Sequence, residues 1–357
     1  YNTGTINTTG TYSGGVAADP RSDDIVINCY NTGDVYGQGS YIGGVCGYST
    51  NKIINCYNTG DVYTPNGYSV GGVVGYGNII VNSYNTGKIY GTTGIGGVAG
   101  TGTEITKCYN TGAVFCQGGT SGGVAASATT VTQCYNTGNV IGANQTTGIA
   151  SANLIENCYN EGDITGTTAV SGISGNAIIK NCYNEGKVSG KTWGNISYSQ
   201  NSVSNTYYLE TEEGALAGVP ITEEYSKSKE FYEKLNSDNV WVYYGTTHPK
   251  LGIGSSALVV DGTTINIENT KKTFVVTTDV KEINDVKGGS ISGEDEIRYE
   301  EIRYGEDNIS EIIMKPDENF AISEITINDE KIAYTVNADG TYTIPAGYFT
   351  DVDEDKH

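Results

Sequence analysis

The chain has 357 residues, enough for a sizeable core and two or three domains, and it carries 41 acidic against 20 basic side chains. This acidic balance argues against a nucleic-acid-binding protein, because phosphates require a basic surface, and it also disfavours anionic membranes. There is no signal peptide and no apolar run long enough to span a bilayer, but the chain starts inside a repeat. We therefore expect it to be a fragment of a longer protein.

One tetrapeptide, Tyr-Asn-Thr-Gly or Tyr-Asn-Glu-Gly, recurs at intervals of 29 to 24 residues through the first half of the chain. The eight copies begin at Tyr1, Tyr30, Tyr57, Tyr84, Tyr109, Tyr135, Tyr159 and Tyr183. A repeat of this length predicts a solenoid, in which each copy is one turn that cannot bury its own apolar face.

Each copy has three apolar stations: four residues before the tyrosine, five residues after it, and after a glycine or glycine pair, as in Val26, Val35 and Val45. β-Branched residues favour strands, and we expect the Asn-x-Gly and Gly-Gly segments to supply corners with positive φ. The pattern predicts an all-β fold, a right-handed parallel β-helix of about eight turns with three short strands in each turn.

Two polar columns run along this predicted helix. The asparagines that follow the repeat tyrosines are expected to form a structural ladder of hydrogen-bonded amides. Six cysteines one residue before the tyrosines, with Ser83 in place of a seventh, are expected to be free thiols used as small apolar filler. Strand alternation leaves open whether the cysteine column or the tyrosine column faces the core.

Glycine-rich segments follow the same pattern in successive turns, at Gly43–Gly47, Gly71–Gly75 and Gly96–Gly100, each paired with an Asn-Cys-Tyr-Asn-like segment. With these motifs the chain resembles, over about residues 1 to 250, the GLUG-motif repeats of secreted bacterial surface proteins, which also occur beside the protease domains of immunoglobulin-A-cleaving metallopeptidases. The resemblance implies an extracellular, often adhesive role and names no ligand. Two late turns lose one glycine, at Thr147 and Ser171, so we expect the solenoid to narrow there.

The chain changes character after the repeats. We assign residues 1–207 to the β-helix and residues 208–254 to a small helical cap that seals its open end, because an open end exposes unpaired strand groups. Alternating strand patterns separated by turn signals follow in residues 255–357. This part is similar to the immunoglobulin-like β-sandwich modules of bacterial surface proteins, which usually act as spacers.

Exposed aromatic residues mark a candidate binding face in the early turns. One position beyond the second apolar station lie the four residues that we call the aromatic stripe, Tyr36, Tyr63, Tyr90 and Phe115. Alternation points them outward, and Tyr41 and Tyr68 precede the glycine pairs nearby. Aromatic rings stack on sugar faces and anchor protein partners, so these six residues are candidates for binding a host glycan or surface protein. The alternative is the preference of tyrosine for strands and for stacking along a ladder.

Catalytic chemistry has little support in the sequence. The chain has two histidines, His248 and His357, and no metalloprotease, serine-hydrolase or phosphate-loop motif. Asp34 and Asp61 lie in one column about 5 Å apart, a separation that suits a retaining glycosidase, but the column continues with Lys88 and neutral residues. We therefore expect no enzyme, no cofactor and no metal site.

These observations predict a non-catalytic fragment of a secreted or cell-surface bacterial protein, monomeric and without membrane insertion in this fragment. Its solenoid face is predicted to adhere to a host glycan or protein. A structural stalk with the binding part elsewhere is the first alternative, and a glycan-cleaving β-helix enzyme is the second.

Overall fold

The computed structural model describes residues 1–20, 22–199, 202–210, 217–243 and 247–252, and beyond them the backbone of short strands between 258 and 344. The chain divides into two compact units, Tyr1–Ile253 and Gly254–His357. The first unit is an all-β parallel solenoid of about eight turns, as predicted, with few helices. Each turn contributes strands to three parallel sheets, which we call sheets A, B and C.

The three sheets divide the repeat between them. Sheet A has nine strands: Tyr30–Asn31, Tyr57–Asn58, Tyr84–Asn85, Tyr109–Asn110, Tyr135–Asn136, Tyr159–Asn160, Tyr183–Asn184, Tyr207–Leu209 and Val219–Ile221. Sheet B has 14 strands: Ile6–Thr8, Ser13–Gly14, Val35–Gly37, Ile42–Gly43, Val62–Gly71, Ile89–Gly96, Val114–Cys116, Ser121–Gly122, Val140–Ile141, Gln145–Thr147, Ile164–Thr165, Ala169–Ser171, Val188–Ser189 and Thr192–Gly194. Sheet C has nine strands: Val26–Ile27, Cys46–Ile54, Val74–Val81, Ala99–Thr106, Ala125–Thr132, Ala150–Ser151, Leu154–Glu156, Ile178–Lys180 and Val203–Ser204.

The repeat tyrosine lies between two buried residues. Cys56 and Asn58 are 1% and 0% exposed, whereas Tyr57 between them is half-buried and stacks on the tyrosines of the turns above and below at centroid distances of 5.0 Å. Asn55, just before, has φ 52°, which bends the chain into this alternation. The cysteine column is therefore core, and the tyrosine column lies on the outer side of sheet A.

The expectation that glycines supply the positive-φ corners is wrong for most turns. Positive φ recurs two residues before the repeat tyrosine, at six asparagines and at Lys107 and Gln133. Among the described residues, Gly94 and Gly218 are the glycines with positive φ. Asparagine tolerates this left-handed conformation better than most residues, because its short polar side chain can bond locally.

The glycine pairs serve close packing instead. A Cβ atom on Gly97 would lie less than 3.0 Å from the carbonyl oxygen of Gly123 and from the side-chain Cγ of Asn110, a separation that real Cβ atoms essentially never show. Gly44 and Gly72 face the asparagines of their own turns in the same way. The second glycine of each pair thus leaves the volume that the buried asparagine occupies.

The asparagine ladder is structural, as predicted. Asn110 donates one amide N–H to Oδ1 of Asn136 at 2.8 Å and the other to the carbonyl oxygen of Gly112 at 2.7 Å. The same pair of bonds recurs in the other turns up to Asn160. These bonds satisfy buried amides that would otherwise be costly. Asn184 is the last asparagine of this column, and in the turn after it Tyr208 packs against the core.

The cysteines are more than filler. The backbone N–H of Cys108 donates to Sγ of Cys134 in the next turn at 3.3 Å, and that of Cys56 donates to Oγ of Ser83 at 3.1 Å. Serine can therefore replace cysteine in this column, because a hydroxyl accepts the same bond. All eight cysteines are free, and burial raises the pKa of the Cys108, Cys134 and Cys158 thiols well above the usual value.

The rest of the first unit folds back on sheet A. Val219–Ile221 pairs with Tyr207–Leu209, and two helices follow, α1 (Glu223–Ser226) and α2 (Lys229–Leu235). A 3-10 turn, Asn236–Asp238, leads to an antiparallel pair, Trp241–Val242 with Lys250–Leu251. Thr222 and Ser228 cap the two helices, since their side chains accept N–H bonds from Tyr225 and Phe231. We call residues 222–243 and 247–252 the docked segment. No helix in the described part of the chain is long and apolar enough to cross a bilayer.

The second unit contains antiparallel strand pairs. Leu258–Val260 pairs with Thr263–Ile265, Thr273–Thr277 with Glu296–Glu300, and Thr326–Ile327 with Glu330–Lys331. A four-stranded sheet has the order Gly289–Ile291, Ile312–Pro316, Tyr342–Ile344 and Thr335–Val336. The residues between these strands lie outside the described residues, so the β-sandwich predicted for residues 255–357 stays a prediction.

Candidate functional site

The aromatic stripe lies in one register of sheet B. Tyr36 pairs with Tyr63, Tyr63 with Tyr90, and Tyr90 with Phe115. Tyr36 and Tyr63 are 44% and 42% exposed, and the rings of Tyr63 and Tyr90 are stacked, with centroids 4.6 Å apart and planes at 12°. The Tyr36 ring is tilted 55° from that of Tyr63 at 6.2 Å. The three tyrosines thus present adjacent rings on the outer face of successive turns.

Tyr41 and Tyr68, the other two predicted site residues, belong to a separate cluster. Their rings contact each other edge-on at 5.4 Å, and Tyr41 also contacts Tyr12 and Tyr48 at 5.2 and 5.7 Å. Tyr48 in turn stacks on Tyr76 at 4.7 Å. We call these five residues the tyrosine corner, because they join the edge of sheet B to the first strands of sheet C. Sequence reasoning placed only two of them in the candidate site.

The tyrosine corner combines unusual backbone with shared aromatic surface. Tyr12 and Tyr41 have φ of 58° and 55°, a region that bulky residues rarely adopt. Partial burial and the neighbouring tyrosines Tyr68, Tyr12 and Tyr76 raise the pKa of Tyr41, which keeps its hydroxyl protonated. Tyr68 is the most exposed member, at 52%. The cluster therefore offers a broad, neutral, aromatic surface with hydroxyls at its edges.

The two aromatic groups face outward from one strand. Val62–Gly71 carries Tyr63 in the stripe and Tyr68 in the corner, five residues apart in sequence, and the chain bends between them. Gly67 lies between them, where a Cβ would crowd the side chain of Thr64. The early turns thus have two aromatic groups on one face rather than the single stripe that the sequence indicated.

The aspartates beside the stripe are engaged in holding the turns together. Oδ1 of Asp34 accepts the backbone N–H of Asp61 at 2.9 Å, and Oδ1 of Asp61 accepts that of Lys88 at 2.8 Å. Asn139 and Asp163 make the equivalent bonds in late turns. The column that suggested a glycosidase pair therefore has a structural task that asparagine performs equally well.

A second cluster of reactive side chains, missed by sequence reasoning, lies under the docked segment. Nδ1 of His248 is 2.5 Å from Oε2 of Glu185, and Nζ of Lys250 forms an ion pair with Glu161. Lys250 also lies over the Tyr159 ring, 5.0 Å from its centroid. Burial raises the pKa of Glu185, although the bond from His248 opposes this shift. We call Glu161, Glu185, His248 and Lys250 the Glu–His cluster.

A sequence signal for this cluster exists. The residue after Tyr-Asn is threonine in the first six copies and becomes glutamate only at Glu161 and Glu185. Those two turns are the ones that His248 and Lys250 contact. A change from threonine to glutamate in only two neighbouring copies predicts that these two side chains contact some other part of the protein. The sequence does not show that this part is the segment of His248 and Lys250, about 65 to 90 residues further along the chain.

Aromatic packing holds the docked segment in place. Phe231 meets Tyr183 and Tyr207 at 6.0 and 5.1 Å, and Trp241 meets Tyr183 and Tyr159 at 5.5 and 6.0 Å. The hydroxyl of Tyr183 donates to the carbonyl oxygen of Pro249 at 2.7 Å. The late part of the tyrosine column is thereby buried on the flank of the solenoid.

Comparison with known proteins identifies one motif. The GLUG motif matches residues 38–63, a stretch that includes Tyr41, Tyr63 and the segment Gly43–Gly47. No curated protein and no solved structure matches the chain. The chain is thus similar to the GLUG motif over one turn of the solenoid, the turn that carries part of each aromatic group.

Proposed function

We propose that the solenoid is a non-catalytic binding module of an extracellular surface protein and that the aromatic face of its early turns binds a glycan. The observation that carries this proposal is the stacked pair Tyr63 and Tyr90, presented outward beside the exposed ring of Tyr36. The apolar faces of sugar rings pack on such rings. The Tyr90 hydroxyl accepts a hydrogen bond from Nε2 of Gln117, and the Tyr36 hydroxyl donates one to Asp34 at 3.5 Å, so polar side chains border the rings.

The chemistry of the surroundings favours a neutral ligand. Beside the stripe, one column carries Asp34, Asp61 and Lys88 in successive turns, so two acidic side chains and one basic side chain leave little net charge. Tyrosine supplies contact area at low conformational entropy cost, and the solenoid backbone holds each ring in register. The tyrosine corner adds a second group of exposed rings to the same turns, so an oligosaccharide of several units suits this surface better than a single sugar.

The extracellular setting of this proposal comes from the resemblance to GLUG repeats. In the same proposal the solenoid is right-handed, the docked segment acts as a cap for its last turns, and residues 255–357 form an immunoglobulin-like spacer. The protein would be secreted or held at a bacterial cell surface, act as a monomer, and have no nucleic-acid partner. A host surface protein is the alternative partner for the same face.

A structural stalk is the second candidate function. It is favoured by the asparagine ladder, which runs through the solenoid whether or not the outer face carries tyrosines. In a stalk the stripe would serve only ring-on-ring packing, and replacing it would change stability without changing any binding.

The test is a glycan and mucin array probed with the full chain. We expect specific binding that is lost in the triple variant Tyr36→Ser, Tyr63→Ser, Tyr90→Ser. The matched control is Ile141→Ser, because Ile141 occupies the same register in a later turn and is 46% exposed. A separate Tyr68→Ser variant asks whether the corner belongs to the same site. Wild-type protein that binds no glycan, or binding that survives the triple replacement, would overturn the proposal.

A further inference from the structure

The Glu–His cluster brings ligand-type side chains together from two parts of the chain. Glu161 and Glu185 follow Tyr-Asn in consecutive turns, and their backbone N–H groups donate to Asn136 and Asn160 at 2.8 Å each, which sets their positions on sheet A. His248 reaches them from the docked segment. One ligand atom from each of Glu161, Glu185 and His248 can be chosen so that all three lie within 4.8 Å of one another.

The cluster is nearly closed to solvent. The side chains of Glu185 and His248 are 11% and 14% exposed, and those of Glu161 and Lys250 are 23% and 20% exposed. Two polar atoms have no hydrogen-bond partner among the described residues, Oε1 of Glu185 and Nε2 of His248. Buried polar atoms without partners are rare and costly, so each such atom calls for an explanation.

A divalent metal ion accounts for the close approach of two carboxylates and an imidazole. Two carboxylates and one imidazole are a ligand set used by zinc and similar ions, with a fourth position open for water. Calcium requires six to eight oxygen ligands, and magnesium favours oxygen ligands and keeps most of its waters, so neither fits a set that includes imidazole. We propose that Glu161, Glu185 and His248 bind a transition-metal ion of the zinc type, which fastens the docked segment to the late turns.

The sequence of the repeat changes at the two positions that form the proposed metal site. Position three of the tetrapeptide is threonine in every copy except the two beneath His248, where it is glutamate. Those glutamates lie in a part of the chain that is otherwise uncharged along this column, and burying them requires a cationic partner. Lys250 supplies one positive charge to Glu161, but Oε1 of Glu185 has no hydrogen-bond partner in the described part of the chain.

Lys250 gives the proposal a distinctive consequence. Its ammonium group occupies Glu161 and would be repelled by a metal ion bound to the same carboxylate, so it must move aside when the metal binds. The lysine therefore weakens metal affinity. Replacing it by a neutral residue of similar length, as in Lys250→Met, should tighten metal binding even though it removes an ion pair.

The test uses the full chain, freed of metal with a chelator and then titrated with zinc at neutral pH. We expect one equivalent to bind and to raise the melting temperature. His248→Gln and Glu161→Gln should each weaken zinc binding by about ten-fold or more, and Lys250→Met should strengthen it. The matched control is His357→Gln, which removes the other histidine of the chain and should leave binding unchanged. Circular dichroism of each metal-free variant checks that it is folded.

Cobalt provides a second readout that separates this site from the cysteines. Cobalt bound by nitrogen and oxygen ligands should give visible absorption bands without a strong thiolate band in the near ultraviolet. A thiolate band would assign the metal to cysteine and overturn the proposal. Wild-type protein that binds no zinc, or a folded His248→Gln variant that binds as tightly as wild type, would overturn it as well.

Discussion

The early turns, residues 1–134, and the late turns, residues 135–209, share an interior but differ on the outside. Both have the asparagine ladder and the buried cysteine column. The early turns have strands of up to ten residues and the exposed aromatic face, whereas the late turns have strands of two or three residues and a tyrosine column covered by the docked segment. The comparison shows that the inward-facing residues of the repeat stabilise the same backbone in every turn. The outward-facing positions differ between turns and can therefore serve separate functions.

The glycine pairs mark the same division. The first glycine of each pair is present up to Gly122, and Thr147 and Ser171 take its position in the next two turns. Both replacements are fully buried, and their hydroxyls make hydrogen bonds with Ser121 and Tyr198. The turns of Thr147 and Ser171 therefore have room at a position that is closed in the early turns and closed again at Gly194.

Placing a late-turn residue at this position in an early turn is expected to lower stability more than any other change proposed below. Gly96 in the early turns aligns with Ser171 three turns later. A Cβ on Gly96 would lie less than 3.0 Å from backbone atoms of Ala99 and Ala125, which have little freedom to move. Gly96→Ser should therefore lower the free energy of unfolding by more than about 4 kcal/mol, measured by chemical denaturation.

The reverse change in the late turns is the control. Ser171→Gly removes the hydroxyl that accepts the backbone N–H of Tyr198 at 3.2 Å, and we expect a cost of about 1–2 kcal/mol. Equal costs for the two variants would show that early and late turns are packed alike at this position.

Removing Trp241, the main aromatic contact of the docked segment, should have the second-largest effect on stability. Trp241 is 3% exposed, packs on Tyr159 and Tyr183, and donates its indole N–H to Oδ1 of Asn157 at 3.3 Å. Trp241→Ala should cost about 3–4 kcal/mol. The loss should be local, so hydrogen exchange should speed up in the docked segment and leave the early turns unchanged.

The control is Tyr57, in the early part of the same column, where the described residues of the docked segment make no ring contact. Tyr57→Ala removes ring stacking on a half-buried surface and should cost only about 1–2 kcal/mol. Faster exchange in the early turns of the Trp241→Ala variant would contradict the separation of the two regions.

Interrupting the asparagine ladder should lower the free energy of unfolding by the same amount in the early and the late turns. Asn110→Ala and Asn160→Ala each remove three buried hydrogen bonds and leave a buried amide N–H and buried oxygens unpaired, so each should cost about 2–3 kcal/mol. Asn82→Gly is the control, since glycine adopts the φ of 48° at this position without strain and the change removes one side-chain bond among the described residues, to Asn55 at 3.3 Å on the outer side, so it should lose less than about 1 kcal/mol. Clearly different costs at Asn110 and Asn160 would disprove a common interior.

Alkaline pH should have the smallest effect. Burial, and secondarily the neighbouring Tyr57, raise the pKa of Tyr84 to about 12, from an ordinary value near 10. Between these values the folded chain keeps a proton that the unfolded chain releases, so stability is retained below pH 10 and falls as pH rises toward 12. Tyr84→Phe should flatten this part of a melting-temperature profile. An unchanged slope in Tyr84→Phe would contradict the assignment.

Much of the first unit follows from periodicity. The 24–29-residue spacing and the β-branched stations predict a parallel solenoid with three sheets, and the column after each repeat tyrosine predicts the asparagine ladder. The glycine pairs were predicted to supply corners, but they allow close packing instead. The sequence shows that glycine lacks a Cβ atom, and it does not show which neighbouring atoms a Cβ would approach. The sequence also did not indicate that the asparagines two residues before the tyrosine column form the corners with positive φ. These six asparagines precede cysteine, serine or threonine and resemble ordinary turn residues until their φ is known.

Of the candidate sites, the stripe could be predicted from strand alternation, since Tyr36, Tyr63 and Tyr90 share one register. The tyrosine corner could be predicted only in part, because Tyr12, Tyr48 and Tyr76 come from different strands and meet across a bend between sheets. The Glu–His cluster needs contacts between residues far apart in the chain, which no local pattern encodes.

The sequence by itself determined the repeat, the β-solenoid and the inward or outward direction of residues in the stripe, because these depend on spacing and on local backbone preference. Only the tertiary structure decided that the cysteine column is core, that five tyrosines form a corner, and that His248 lies on Glu185. These depend on how distant segments pack, and a packed contact is set by the three-dimensional path of the chain rather than by its local order.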